Sequence, residues 1–290
     1  MAKTELHLHL LGAIPPATLW TLILLFLSLL TTLSAQERMI QLSPELQIRE
    51  IEKNSYLITH SFPWPANSLL LILEEPHALL IDTPYTPEAT GQVLDWLQEQ
   101  FGPGLDITAI NTGFHIDNLG GNKALLERGI PIYGSELTAE LLDRKGSDTM
   151  SKLSLWLRGR ENEKYLKVYT DFDFFKPNRL FDIHEEQKLT LGSTDIIIHY
   201  PGPTHTYDNL VVYIPGKKLL FGGCMILSSQ TNKPGFIEDG NLYEWQKSLV
   251  NLKNRFTDAR IVIPGHGDPG SPNLIDHTEK VLRDSNKQGE

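Results

Sequence analysis

Seven short apolar runs, at residues 68–73, 78–81, 107–110, 195–200, 210–214, 219–221 and 261–263, constrain this chain most. Each passes within a few residues into a turn holding proline or glycine. Runs of that length bury their side chains by pairing into sheets rather than by coiling into helices. Helical patterns interleave with them. Thr86-Pro87-Glu88 supplies a cap, a first-turn proline and a first-turn acid, followed by Val93, Leu94, Leu97 and Phe101 on one face and Gly102 just past the end. Leu242, Trp245, Leu249, Leu252 and Phe256 recur at steps of three and four, the spacing of an amphipathic helix. The order of strands and a helix, a middle stretch, then strands and a helix again predicts an α/β chain of two similar halves. Their sheets pack face to face with helices outside, an αββα sandwich. Residues 147–186 show neither strand alternation nor a long helical period. Their aromatics Tyr165, Tyr169, Phe172, Phe174 and Phe175 either cover the edge of a site or fill an apolar surface between the halves.

A chain of 290 residues, 40% hydrophobic and 21% charged, can bury a core of this kind and is neither coiled coil, collagen nor disordered. The net charge of -10 argues against a nucleic-acid partner, since phosphate recognition rests on clustered Lys and Arg. Residues 19–30, LWTLILLFLSLL, are apolar and uncharged but fall short of the roughly 20 residues that span a bilayer. They have the length of a signal-peptide core and lead to Leu33-Ser34-Ala35 before Gln36, a small-residue cleavage site. The expected organisation is a signal peptide at 1–35 and a single domain at 36–290, exported to the periplasm, with no membrane association once the signal is cut. The alternative is an uncleaved anchor, because Lys3 is the only basic residue before the run and Glu5 offsets it. One cysteine excludes a disulfide framework within the chain. In an oxidising compartment a lone thiol is a liability unless buried or held by a metal, so Cys224 needs an explanation.

Three histidines follow a strand into a glycine-rich turn. Ile107 to Ile110 leads into Gly113-Phe114-His115-Ile116-Asp117-Asn118 and the pair Gly120-Gly121. Tyr200 leads into Gly202-Pro203-Thr204-His205-Thr206-Tyr207-Asp208-Asn209, and Ile263 into Pro264-Gly265-His266-Gly267. A fourth strand ends in Gly222-Gly223-Cys224. Loops at one edge of a rigid sandwich bring such residues together although they are far apart in sequence, and imidazole, thiolate and carboxylate make a good zinc set. Singly, each has a plain alternative: His115 an exposed loop histidine, Asp117 a helix cap, Cys224 a small buried hydrophobe. Four coincidences of strand end, glycine and donor point to a metal.

At these residues the sequence resembles the zinc-dependent class B beta-lactamases, most closely their first, usually di-zinc, subclass, over nearly the whole chain after the leader. The resemblance implies the αββα fold, with Asp117, Cys224 and His266 holding one zinc and His115 and His205 part of the other site. Relatives in the wider superfamily usually carry an aspartate where this chain has Cys224, and a histidine where it has Asn118. The family's third histidine of the first site falls at Gly113, the main departure; His60 is a remote candidate recruit. A largely mono-zinc, carbapenem-specialised subclass also lacks that histidine and has an enlarged middle helix, but reads Gly-Asn-Cys where this chain reads Gly222-Gly223-Cys224. The family's carboxylate-binding lysine falls at Leu227 and its carbonyl-assisting asparagine at Phe236, leaving Ser228, Ser229 and Lys233 as candidate substitutes.

The implied activity is hydrolysis of the beta-lactam amide of antibiotics by a zinc-bound hydroxide, which confers resistance. One or two zinc ions are expected, two being favoured. Asp117 orients the nucleophile, the ion at Asp117, Cys224 and His266 stabilises the departing nitrogen, and Asp82 is a candidate outer carboxylate. Competing readings are a mono-zinc carbapenem-selective enzyme, a lactone or other ester or amide hydrolase, and a weakly catalytic zinc-binding protein. Small beta-lactams are the expected partners and nothing demands a dimer. Substituting histidine at Gly113 is expected to strengthen the second zinc equivalent.

Overall fold

The computed structural model describes residues 39–170 and 172–288. The expected signal peptide, 1–35, lies outside the described residues. Eight strands form the first sheet in chain order: β1 (Met39–Ser43), β2 (Leu46–Glu52), β3 (Ser55–Ser61), β4 (Pro65–Ile72), β5 (His77–Ile81), β6 (Asp106–Ile110), β7 (Ile132–Ser135) and β8 (Arg179–Phe181). The first five strands pair antiparallel and β5 to β8 pair parallel. The second sheet runs β13 (Ile261–Pro264), β12 (Leu219–Gly223), β11 (Val211–Ile214), β10 (Thr194–His199) and β9 (Gln187–Leu191). Only β12 and β13 are parallel there.

Period-two alternation sorts the apolar side chains into layers. Leu69, Leu71, Leu79, Ile81 and Ile110 face Ile196, Ile198, Val212, Ile214, Phe221 and Ile263 in a core between the sheets. The intervening Leu70, Leu80 and Ala109 turn outward onto helix α1 (Pro87–Phe101) through Val93, Leu94, Trp96 and Leu97. On the far side Val211, Leu220 and Val262 meet Trp245, Leu249 and Leu252 of the helix Leu242–Arg255, and Leu274 and Leu282 of the helix Asn273–Gln288. The architecture is therefore the αββα sandwich. Helix α1 begins and ends where the sequence marks it: the Thr86 hydroxyl accepts from the Ala89 N–H, and Gly102 closes the helix at φ +90°.

The middle stretch departs from expectation. Between α2 (Ile116–Leu119), α3 (Asn122–Glu127) and β8 lies a 21-residue helix, α4 (Glu136–Trp156), followed by α5 (Glu163–Tyr169). Residues 147–156 are thus the second half of α4. Its mixed polar sequence hides the period because α4 buries only a narrow stripe, Thr138, Ala139, Leu141, Leu142, Gly146 and Leu153. Tyr165, Tyr169, Phe172 and Phe174 pack in an apolar cluster with Phe62, Tyr85 and Leu157, which come from the first half and the middle stretch. Helices Leu242–Arg255 and Asn273–Gln288 are α6 and α7.

Candidate metal centre

The carboxyl ends of β5, β6, β12 and β13 open on one edge of the sandwich, the usual place for a site in a sheet with parallel strands. The loop after β6 places His115 and Asp117 around the start of α2, Cys224 follows β12 directly, and His266 follows β13. Glycine makes the last two meet. A Cβ on Gly265 would stand 2.9 Å from Cys224 Sγ and 2.8 Å from its backbone nitrogen, while Gly223 turns the strand end at φ +54°.

Asp117, Cys224 and His266 bring one donor atom each within 4.8 Å of one another. His266 Nε2 lies 3.1 Å from Asp117 Oδ2, Cys224 Sγ 3.4 Å from the same oxygen and 3.9 Å from His266 Nε2. Zinc bonds of about 2.0–2.3 Å at the tetrahedral angle set donors roughly 3.3–3.6 Å apart. The triad therefore fits one such ion with a position to spare. His266 Nδ1 donates to the Pro65 carbonyl at 2.7 Å, so Nε2, which lies against Asp117, is the nitrogen that would turn to a metal.

Charge in the centre is arranged for a cation. Burial alone would raise the Asp117 carboxyl, but the hydrogen bond from His266 and the neighbouring imidazole charge, that of His266 first, outweigh it and hold it well below the usual range. Burial, with the charges of Asp117 and Asp82, pushes the Cys224 thiol well up, so a bound cation is what would make it a thiolate. Burial and the neighbouring His115 charge lower His205 to about 3, which keeps it a neutral donor.

His115 and His205 form the other half. Their rings stand perpendicular with centroids 5.2 Å apart, and Trp245 of α6 packs edge-on to His205 at 5.7 Å. His115 Nε2 lies 3.2 Å from Asp239 Oδ2. A carboxylate only accepts, so Nε2 carries the proton and Nδ1 remains for a ligand. The His115 hydrogen bond, then that of Lys145, holds the Asp239 carboxyl well below its ordinary range. Sequence reasoning missed both Asp239 and Lys145. Asp239 sits beside Gly240-Asn241, where it reads as part of a turn before the Asn241 cap, and its partners are 124 and 94 residues away.

No third imidazole joins this pair among the described residues. A Cβ on Gly113 would lie 2.8 Å from Asn209 Nδ2 and 3.0 Å from Asn118 Oδ1, so two buried amides occupy the slot. The Asn118 oxygen is buried and has no hydrogen-bond partner among the described residues. A histidine at position 113 therefore requires these two amide ends to shift. His60 is no recruit either, since its Nδ1 accepts from the Tyr85 N–H and its ring stacks on Phe62.

Asp82, at φ +57°, is fully engaged beneath the centre. It accepts from the Thr112 N–H at 2.7 Å, the Thr112 hydroxyl at 2.6 Å and Asn118 Nδ2 at 2.9 Å. Burial pushes its carboxyl up to about 8, against these hydrogen bonds. It touches no donor of the triad; it holds the residues that flank His115 and Asp117.

Above the donors opens a cavity of about 450 Å³. Its walls are mainly apolar, with Trp64, Tyr85, Trp156, Leu227 and Phe236, and Ser228, Lys152 and Lys233 also line it. Ser228 shares its hydroxyl with Thr231 at 3.0 Å, whereas Lys233 is exposed. Ser229 is exposed and does not line the cavity.

Comparison with known proteins gives the same answer as the geometry. Residues 62–266 match the family model described as the metallo-beta-lactamase superfamily. A metallo-beta-lactamase type 2 from Pseudomonas aeruginosa is 33% identical over 248 residues, covering 83% of this chain and 86% of that protein. Among solved structures, a metallo-beta-lactamase from Pontibacter korlensis superposes with a TM-score of 0.68 at 27% identity, covering 82% of this chain and 99% of its own. TMB-1 does so with 0.68 at 28%, covering 84% and 100%. With the strand-end donors, the sandwich and this match over most of its length, the chain belongs to the metallo-beta-lactamase superfamily.

Proposed function

We propose that this protein is a zinc-dependent beta-lactamase that opens the lactam amide of antibiotics by hydrolysis. One observation carries the reading: the Asp117, Cys224 and His266 donors converge within 4.8 Å beside a 450 Å³ apolar cavity, with His115 and His205 at the same rim. Bound zinc supplies a Lewis acid and lowers the pKa of water, so that hydroxide is available near neutral pH. The chain's residues do the rest. Asp117, kept ionised against its burial by the hydrogen bond from His266 and the imidazoles around it, would accept a hydrogen bond from the attacking water and aim it. Cys224 and His266, with Asp117, would hold the metal, whose charge would stabilise the departing lactam nitrogen. The apolar wall of Trp64, Trp156 and Phe236 packs on the substrate and excludes bulk water. Lys233, at the mouth, pairs with the substrate carboxylate in place of the lysine that Leu227 replaces, and Ser228 is a second polar contact.

Two zinc ions per chain, a monomer and a periplasmic location complete the reading. Export rests on the 19–30 run and its Ala35 site. No helix among the described residues is long and apolar enough to cross a membrane. A mono-zinc, carbapenem-selective enzyme is favoured by one specific observation, the filling of the Gly113 slot by Asn118 and Asn209. The test is hydrolysis of a penicillin, a cephalosporin and a carbapenem by the mature protein, with zinc counted on the same sample. Turnover that a chelator abolishes and zinc restores, with close to two ions bound, is the expected result. Turnover on carbapenems alone with one ion favours the second reading. No turnover with added zinc, or preference for a lactone panel, overturns both.

A further inference from the structure

Two lysines of α4 reach the segment that roofs the metal centre. Lys145 and Lys152 are seven residues apart, two helical turns, and so lie on one face. Lys145 Nζ meets Asp239 Oδ1 at 2.6 Å and Lys152 Nζ meets Glu238 Oε2 at 2.8 Å. The two contacts differ in kind. The Glu238 side chain is 62% exposed, which makes its pair a screened surface contact, whereas that of Asp239 is 7% exposed. A carboxylate so buried needs both oxygens satisfied. Lys145 takes one oxygen, and the other faces His115 Nε2 at 3.2 Å.

We infer that Lys145 is a positioning residue of the metal centre: by anchoring Asp239 it fixes the ring of His115 with Nδ1 turned to the ligand. The inference rests on the proposed role of His115 as a metal donor. Without Lys145 the carboxylate is free to turn about its own axis and toward solvent, and the imidazole loses the partner that sets its orientation. The consequence is larger here than at a centre with three imidazoles, because Gly113 leaves His115 and His205 to hold an ion without a third. A helix inserted between the halves thereby takes part in the chemistry through one charge.

The experiment measures zinc affinity by chelator competition and the His115 tautomer by nitrogen NMR of the metal-free protein. It uses the unsubstituted protein, Lys145→Met, Lys145→Arg and Arg144→Met. Arg144 is the control, since its ion pair is with Glu140 on the exposed face of α4. Lys145→Met is expected to weaken the second zinc equivalent about 10–100-fold, to leave the first within about twofold, and to turn a single Nε2–H tautomer into a mixture. Lys145→Arg should restore most of the affinity, and Arg144→Met should match the unsubstituted protein. Full affinity and an unchanged tautomer in Lys145→Met overturn the inference. So does a zinc loss wholly accounted for by a lower melting temperature without metal, which would assign Lys145 to the fold. If His115→Ala leaves zinc binding unchanged, the reading of His115 as a donor fails, and the tautomer of the metal-free variants still decides whether Lys145 positions the ring.

Discussion

The two halves of the proposed metal centre are built differently. Asp117, Cys224 and His266 form a closed triad whose donors already stand 3.1–3.9 Å apart, each sited by a strand end or a glycine. His115 and His205 form an open pair, steadied by Asp239, Lys145 and Trp245 and lacking the third imidazole at Gly113. The contrast teaches that a site complete in its own ligands needs little beyond the backbone, while an incomplete one depends on outer partners to orient what it has.

The sharpest way to break the comparison is to open the closed half. Cys224→Ser is expected to remove most hydrolysis, a loss beyond the roughly 10–100-fold that outer partners cost, while circular dichroism shows the fold intact. Unchanged turnover would mean that the open pair alone runs the reaction. Next comes the attempt to close the open half. Gly113→His alone should destabilise by about 1–3 kcal/mol, the usual cost of overpacking, and gain no zinc. Joined to Asn118→Ser it should recover part of that stability and bind the second equivalent more tightly. A gain by the single variant, read by melting and zinc titration, would show that Asn118 and Asn209 yield easily.

Asp82→Asn probes what the halves share, because Asp82 holds Thr112 and Asn118 below both. Zinc affinity should fall about tenfold at both equivalents in a chelator titration, and a loss confined to one equivalent would place Asp82 in that half only. The smallest effect concerns His60, outside both halves, whose burial lowers it to about 4. The folded form leaves this ring neutral where the unfolded chain protonates it. Its contribution is therefore complete above about pH 6.5 and is lost as pH falls toward 4. Urea melts of metal-free protein should show a decline on the order of 1–3 kcal/mol over that window, flatter in His60→Gln, with zinc affinity at neutral pH unaltered. An equal slope in the variant would assign the decline to other groups, His205 first.

Much of this was legible in the residues. The apolar runs became β4, β5, β6, β10, β11, β12 and β13, and Thr86 and Gly102 bound α1 as their chemistry requires. The sequence marks neither β1 to β3 nor β7 to β9; in β2 and β3, polar positions such as Glu50, Glu52 and Thr59 dilute the alternation. The first half of α4 likewise went unread, and residues 147–156 lacked a period strong enough to mark them as helix.

The sequence by itself determined the layers and the positions of the five metal-ligand candidates, since alternation, capping and strand-end glycines act within a few residues and need no knowledge of what lies opposite. Only the tertiary structure decided what surrounds those donors. Asp239 reaches His115 across 124 residues and Lys145 reaches Asp239 across 94. Asn209 reaches the Gly113 slot, beside the sequence-local Asn118, because β6 and the loop before β11 are packed side by side, where the Leu210 N–H donates to the Thr112 carbonyl at 2.8 Å. Contacts of that span are set by how sheets and helices pack, and local patterns carry no record of them.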